Sequence, residues 1–218
     1  MNNQNHAMPG LTILFISRRA GMNTLSLSDG SELSLPHSLF LKCPWRTGSA
    51  ISPDAFHAWV AENEYSSALE RAGHSLSAKN RSEKEMKETL LRAGYSELCT
   101  LRVIDRLRKL GYLDDSVYAS SFARQRSSLG YGENRIRQEL RMKGIPEEEV
   151  QAAIGELSGD VQNETIRKAA EKAARGKDLS SFKDRQRVKA ALARRGFDFE
   201  SIDAVLAEMA GAMDEDYE

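Results

Sequence analysis

Three short constellations in this chain of 218 residues could carry chemistry. Pro146-Glu147-Glu148-Glu149 gathers carboxylates of the kind that bind metals or move protons. The same acids, placed behind a proline at the first helical position, also offset a helix dipole, and that role is the expected one. Asp114-Asp115 could ligate a cation, or one of the two could cap a helix starting near Ser116 after the turn Gly111-Tyr112. No further ligands cluster with them, so capping is expected and no metal site is. Gly130-Tyr131-Gly132 looks like part of a phosphate-cradling glycine loop, but it lacks the third glycine and a preceding strand. It reads as a helix–helix turn, with Tyr131 either packed or presented to a partner. His6, His37, His57 and His74 all precede the repeated region described below, and Cys43 and Cys99 have no metal or redox spacing. Ser–His and Cys–His nucleophile pairs therefore cannot be built within the repeats. The expectation is a protein with no catalytic residues and no cofactor.

The basic residues say more. Arg124 and Arg126 close one helical stretch, and Arg135, Arg137, Arg141 and Lys143 lie on the next. Arg137 and Arg141 share a face at i, i+4. Arg185, Arg187, Lys189, Arg194 and Arg195 occupy the equivalent helix further on. Any one of these reads as a solvated charge with a local partner, such as Arg135–Glu139. Their recurrence on the same helix of two units points instead to a basic strip that meets a polyanion. Net charge is −1, so no global signal for polyanion binding exists. The charge is nevertheless zoned: residues 81–145 hold 14 Lys/Arg against 9 Asp/Glu, and residues 160–200 hold 11 against 7. Acidic stretches, 146–159 and 201–218, separate and follow them. Such a layout suits DNA, an acidic protein face, or both. Tyr112, Tyr118, Phe122 and Phe182 are expected to pack between helices rather than stack on bases, so a sequence-specific nucleic-acid reader is not indicated.

These side chains sit on a repeated scaffold. Residues 82–95, 132–145 and 184–197 share an aliphatic residue, a Leu four positions on, and a Gly four beyond that. The triples are Met86, Leu90, Gly94; Ile136, Leu140, Gly144; and Val188, Leu192, Gly196, at constant offsets of 50 and then 52. Past each glycine the apolar spacing continues, through Val103, Ile104, Leu107; Ala153, Ile154, Leu157; and Val205, Leu206, Met209. Six residues after the glycine stand Thr100, Val150 and Ile202. A preceding helix, roughly 66–79, 115–127 and 161–176, completes each unit. The fold expected is mainly α: a tandem array of three three-helix repeats in an elongated, curved molecule. Glycines 94, 111, 144 and 196 stand where helices should stop, and Ser82 with Glu85 forms a capping box.

Before the array the period is two. Leu25 and Leu27 alternate with Ser, as do Leu33 and Leu35, around Asp29-Gly30. One buried face requires an odd-length loop, and centring it on Gly30 pairs Leu27 with Leu33 and Leu25 with Leu35. Thr12–Ser17 supplies a third strand. Ser52-Pro53 then starts a helix with the stripe Phe56, Trp59, Val60. The expected organisation is an N-terminal β-hairpin extension plus helix over 1–64 with its first ten residues disordered, repeats over 65–113, 114–159 and 160–211, and an acidic tail over 212–218. Free thiols, the lack of a visible secretory signal and the absence of any membrane-length apolar segment point to a cytoplasmic protein away from membranes, expected as a monomer.

The run Gly111-Tyr112-Leu113-Asp114-Asp115, continuing through Tyr118, Phe122, Arg124 and Arg126 to Gly130-Tyr131-Gly132, Arg135-Ile136-Arg137, Leu140 and Lys143-Gly144-Ile145, closely resembles the RecX family. These are bacterial regulatory proteins of the RecA recombinase. The likeness covers about residues 65–209. It implies a modulator without catalysis of its own, lying in the groove of the RecA–ssDNA filament and inhibiting ATP hydrolysis, strand exchange and filament growth in DNA repair and the SOS response. The partners so implied are the RecA filament and single-stranded DNA. The competing reading from the residues alone is a helical-repeat DNA-binding protein that acts without RecA.

If the repeat triple is structural, Leu140→Ala should lower stability by about 2–5 kcal/mol, as for other buried leucines. Chemical denaturation measures this, and a change near zero would remove Leu140 from the core.

Overall fold

The structure, a computed structural model, describes residues 10–157 and 159–215. The disorder expected at the N-terminus thus lies, apart from Gly10, outside the described residues. Strands β1 (Leu11–Arg19), β2 (Met22–Leu27), β3 (Glu32–Pro36) and β4 (Ala50–Ile51) form an antiparallel sheet in the order β3-β2-β1-β4. A short helix, α1 (His37–Phe40), follows β3. The remaining helices are α2 (Pro53–Ala78), α3 (Glu83–Arg92), α4 (Glu97–Lys109), α5 (Asp115–Ser128), α6 (Glu133–Met142), α7 (Glu147–Gly155), α8 (Gly159–Ala174), α9 (Phe182–Arg194) and α10 (Phe199–Glu215). The first four residues of the acidic tail therefore belong to α10. The chain divides after Leu113 into two units.

The hairpin corrects the expected register. Leu25 pairs with Leu33 and Ser26 with Glu32, two residues away from the pairing predicted around Gly30. The loop is odd, as a single buried face requires, and Leu25, Leu27, Leu33 and Leu35 are all buried. Its centre is set by Asp29, whose carboxylate accepts the Ser31 N–H at 2.9 Å and the Ser31 hydroxyl at 2.6 Å. Gly30 follows with φ +84°, the left-handed residue that closes a three-residue loop. Between Ile13 and Phe15 the β1–β2 register shifts. This bulge keeps Ile13 in the core and turns Leu14 and Phe15 outward. Two elements, β4 and α1, had no periodic signal because each is shorter than a period can reveal.

Helix α2 is continuous across the expected boundary between residues 64 and 65. Ser52 caps it and Pro53 opens it. Its first half packs Phe56, Trp59 and Val60 against the sheet's leucines. Its second half packs Tyr65, Ala68, Leu69 and Ala72 against Met86, Leu90, Val103 and Leu107. One helix thus serves both the sheet and the first three-helix unit. Tyr95 ties them further: its hydroxyl is 2.6 Å from Ser38 Oγ and 2.8 Å from Ser67 Oγ.

The second unit holds two three-helix bundles. Ile136, Leu140, Val150, Ala153 and Ile154 form the core of one, and Val188, Leu192, Ile202, Val205 and Leu206 that of the other. Asp114 caps α5 by accepting from the N–H groups of Ser116 and Val117. Pro146 occupies the N-cap of α7 rather than its first helical position, with Glu147, Glu148 and Glu149 filling the first turn as expected. Helix α8 has few large apolar residues, and beside Ile166 it packs through Ala169, Ala170 and Ala174, small enough for close helix packing. Two aromatic expectations fail. Tyr112 is 66% exposed because Leu113 takes the core position after Gly111, and Phe182, in the first turn of α9, is 78% exposed while Leu179 packs beneath.

Thr100 occupies a fully buried site where the other bundles carry Val150 and Ile202, and among the described residues its Oγ1 has no hydrogen-bond partner. Thr100→Val should raise stability by about 1 kcal/mol, since it removes an unpaired buried hydroxyl at constant shape. A lower urea midpoint for the variant would contradict this.

Candidate functional site

The predicted basic residues do not form one strip. They fall into three groups, each set by helix geometry. Arg137 and Arg141 do share a face, but it is turned toward α7. Arg137 donates to Gln151 Oε1 at 2.5 Å and to Glu133 at 3.3 Å, and Arg141 makes a bidentate pair with Glu147 at 2.7 and 2.8 Å. Hydrogen bonds from Arg141 and Gln151 hold the Glu147 carboxyl down at about 2. Lys189 likewise pairs with Asp203. These cations brace neighbouring helices.

The second group surrounds Tyr131 at the junction of the two bundles. The Gly132 N–H donates to Arg195 O at 2.9 Å, and the Asn134 N–H to Gly196 O at 3.1 Å. A Cβ on Gly132 would lie 2.5 Å from the carbonyl carbon and oxygen of Gly196, so only glycine fits. Arg195 donates to Gly130 O at 3.0 Å and Arg135 to Arg194 O at 3.3 Å. Each guanidinium thus caps the C-terminal end of a helix in the other bundle, where the dipole favours a cation. The guanidinium carbons of Arg126, Arg135 and Arg195 lie 4.6, 4.9 and 5.9 Å from the Tyr131 ring centre. Glu139, with a side chain 12% exposed, accepts from Arg126 at 2.5 Å and from Arg135 at 3.0 Å. Burial pushes its carboxyl up, but the hydrogen bonds from the two arginines outweigh burial and hold it below the ordinary range. Lys143 sits over Tyr118 and Phe122, whose rings stack at 6.1 Å. Sequence reasoning assigned Arg126, Arg135 and Arg195 to a partner. Much of their bonding capacity is instead spent inside the fold, and no sequence signal marks the carbonyls they reach.

The third group faces water. Arg124 pairs loosely with Glu156 at 3.3 Å and Arg187 with Asp184 at 2.9 Å, both largely exposed. Among the described residues, Arg185 and the exposed Arg194 make no ion pair. Placing the second helix of each repeat in register by the offsets of 50 and 52 makes the outer faces comparable. In α3 the face reads Lys84, Glu85, Glu88, Leu91, Arg92; in α6 it reads Asn134, Arg135, Gln138, Arg141, Met142; and in α9 Gln186, Arg187, Ala190, Ala193, Arg194. The face in the first repeat carries two acids. In the second and third repeats it carries two arginines and no acid. No metal-binding group of His, Cys, Asp or Glu occurs among the described residues, and no described helix is long and apolar enough to cross a membrane.

Comparison with known proteins agrees in fold and arrangement. Family profiles described as the first, second and third three-helix domains of RecX match residues 68–107, 114–154 and 160–206. A curated relative, Regulatory protein RecX of Enterococcus faecalis, is 30% identical over 210 residues, covering 95% of this chain and 79% of its own. A crystal structure of RecX from Lactobacillus salivarius matches with TM-score 0.63 at 25% identity, over 68% of this chain and 98% of that one. Another, of a regulatory protein RecX, matches with TM-score 0.62 at 23% identity, over 91% of this chain and 98% of its own.

Two outcomes are expected from the junction. Gly132→Ala should cost about 1–3 kcal/mol, because the added methyl must displace backbone; thermal unfolding that matches the parent would refute the contact. Glu139 is held below its unfolded value of 4.5, so its contribution is present above that pH and is lost as pH falls through the folded value. Glu139→Gln should therefore cost about 2 kcal/mol at neutral pH and flatten the acid limb of the stability curve. An unchanged pH profile would show that the pairs with Arg126 and Arg135 contribute nothing.

Proposed function

The chain belongs to the RecX family, and from that premise we propose that it is a non-enzymatic regulator of RecA that binds the RecA–ssDNA filament. Its action on that filament is inhibitory: it lowers ATP hydrolysis, strand exchange and filament growth, and so serves DNA repair and the SOS response from the cytoplasm. The observation that carries the reading is the acid-free outer face of α6 and α9, where the first repeat keeps Glu85 and Glu88. Arginines on an exposed helix face recognise phosphate or carboxylate bidentately at little desolvation cost. A filament offers both, as DNA backbone and as acidic protein surface. Arg187 and Arg194, seven residues apart on one side of α9, are the principal contacts proposed, with Arg124 and Arg185 supporting them. Arg126, Arg135, Arg137, Arg141, Lys143, Lys189 and Arg195 act mainly by holding the bundles that present these groups.

The test is the ssDNA-dependent ATPase of RecA titrated with this chain. Stoichiometric excess should suppress it. Arg187→Glu combined with Arg194→Glu should raise the half-inhibiting concentration by about tenfold, since each lost ionic contact weakens binding and its salt dependence. An ATPase indifferent to the parent protein would sink the reading. Tight duplex binding with a steep salt slope and no effect on RecA would favour a DNA-binding protein acting alone.

A further inference from the structure

The first unit holds an open pocket of about 540 Å³ whose walls carry four arginines and no Asp or Glu. Arg18 comes from β1, Arg71 from the second half of α2, Arg81 from the turn between α2 and α3, and Arg92 from the end of α3. His37 and Leu41, at the two ends of the α1 turn, complete the mouth. Like charges gathered on four elements repel one another, and folding tolerates that more readily where an anion neutralises them. Other cations of this unit have acidic partners: Lys42 takes Glu70, Arg108 takes Glu83 and Lys87 takes Glu97. Among the described residues, Arg18, Arg71 and Arg81 make no ion pair. Arg92 makes only a long ion pair of 3.6 Å, with Glu88, both groups exposed, and its Nε donates to the Glu88 carbonyl at 3.2 Å. Arg81 adds a second sign. Its Nε is shielded from solvent and has no hydrogen-bond partner among the described residues, a donor left unused at the pocket wall.

We propose that this pocket binds consecutive phosphates of a single-stranded nucleic-acid backbone. Guanidinium forks match the two free oxygens of a phosphodiester. Four of them around one mouth exceed what a lone phosphate needs and suit a chain that brings a charge with every nucleotide. Leu41, 66% exposed at the rim, offers apolar surface to a sugar or base. Because Arg71 and Arg92 belong to the helices of the first repeat, the sheet extension has a ligand-binding role here: Arg18 and His37 close one side of the pocket. The inference stands on this pocket alone and does not require RecA.

The experiment is fluorescence anisotropy of a labelled oligothymidylate with the full chain, without RecA, across a salt series. The parent should bind. Arg18→Glu with Arg71→Glu should weaken binding at least tenfold and make the salt slope shallower by about two, one for each lost phosphate contact. Both residues are exposed, so folding should be retained, and circular dichroism checks it; Arg18→Gln with Arg71→Gln should show a smaller loss in the same direction. Unchanged affinity and slope would overturn the proposal, as would a parent that does not bind. Full competition by millimolar inorganic phosphate would reassign the pocket to a single free anion and also overturn it. So would a variant that keeps oligothymidylate binding but loses binding to polyglutamate. RecA is absent from the readout, so failure here leaves the filament reading standing, and failure of RecA inhibition leaves this site standing.

Discussion

Backbone meets backbone where Gly132 and Gly196 touch, and the second unit is organised around that contact. Two amide–carbonyl bonds cross it, and two arginines then cap helix ends across it. No side chain fits between the glycines, so the approach of α6 to the end of α9 is set chiefly by main chain. Main-chain contacts leave little freedom of angle. The outer faces of α6 and α9 are therefore presented in a fixed relation, which a surface that grips a regular polymer requires. The Tyr131 ring and the Glu139 carboxylate surround this contact with partners for the guanidinium groups nearby.

Each second helix divides its residues between two tasks. The inner stripe is a fixed aliphatic–Leu pair that ends in a left-handed glycine, and it is the same in all three copies. The outer stripe carries fewer packing constraints and has diverged in charge. The first copy balances Lys84 and Arg92 against Glu85 and Glu88, whereas the second and third have only cationic and neutral residues there. A repeat scaffold permits this because each copy's core is local, so exposed residues can change without disturbing neighbours.

What the sequence disclosed follows the range of the interaction responsible. Caps, helix stops and core stripes depend on residues within one turn, and Asp114, Ser82, Gly144 and Leu140 were legible for that reason. The hairpin was half legible: one buried face demands an odd loop, but the Asp29 side chain, binding Ser31, chose which odd loop. The glycine junction was not legible, because Gly132 and Gly196 each satisfy an ordinary turn and nothing local reveals that they meet. The carbonyls that Arg135 and Arg195 reach were hidden for the same reason, since they lie in another bundle. The arginine pocket of the first unit is the extreme case. Its four cations come from four elements, and no window of sequence shows them as a cluster.

Photo-crosslinking from single positions on the three outer faces would test the division of labour most directly. A crosslinking residue at position 88, 138 or 190 occupies the same exposed site in α3, α6 and α9. On assembled RecA–ssDNA filaments, positions 138 and 190 should crosslink to filament components and position 88 should not. Equal crosslinking from position 88, or none from 138 and 190, would contradict the account.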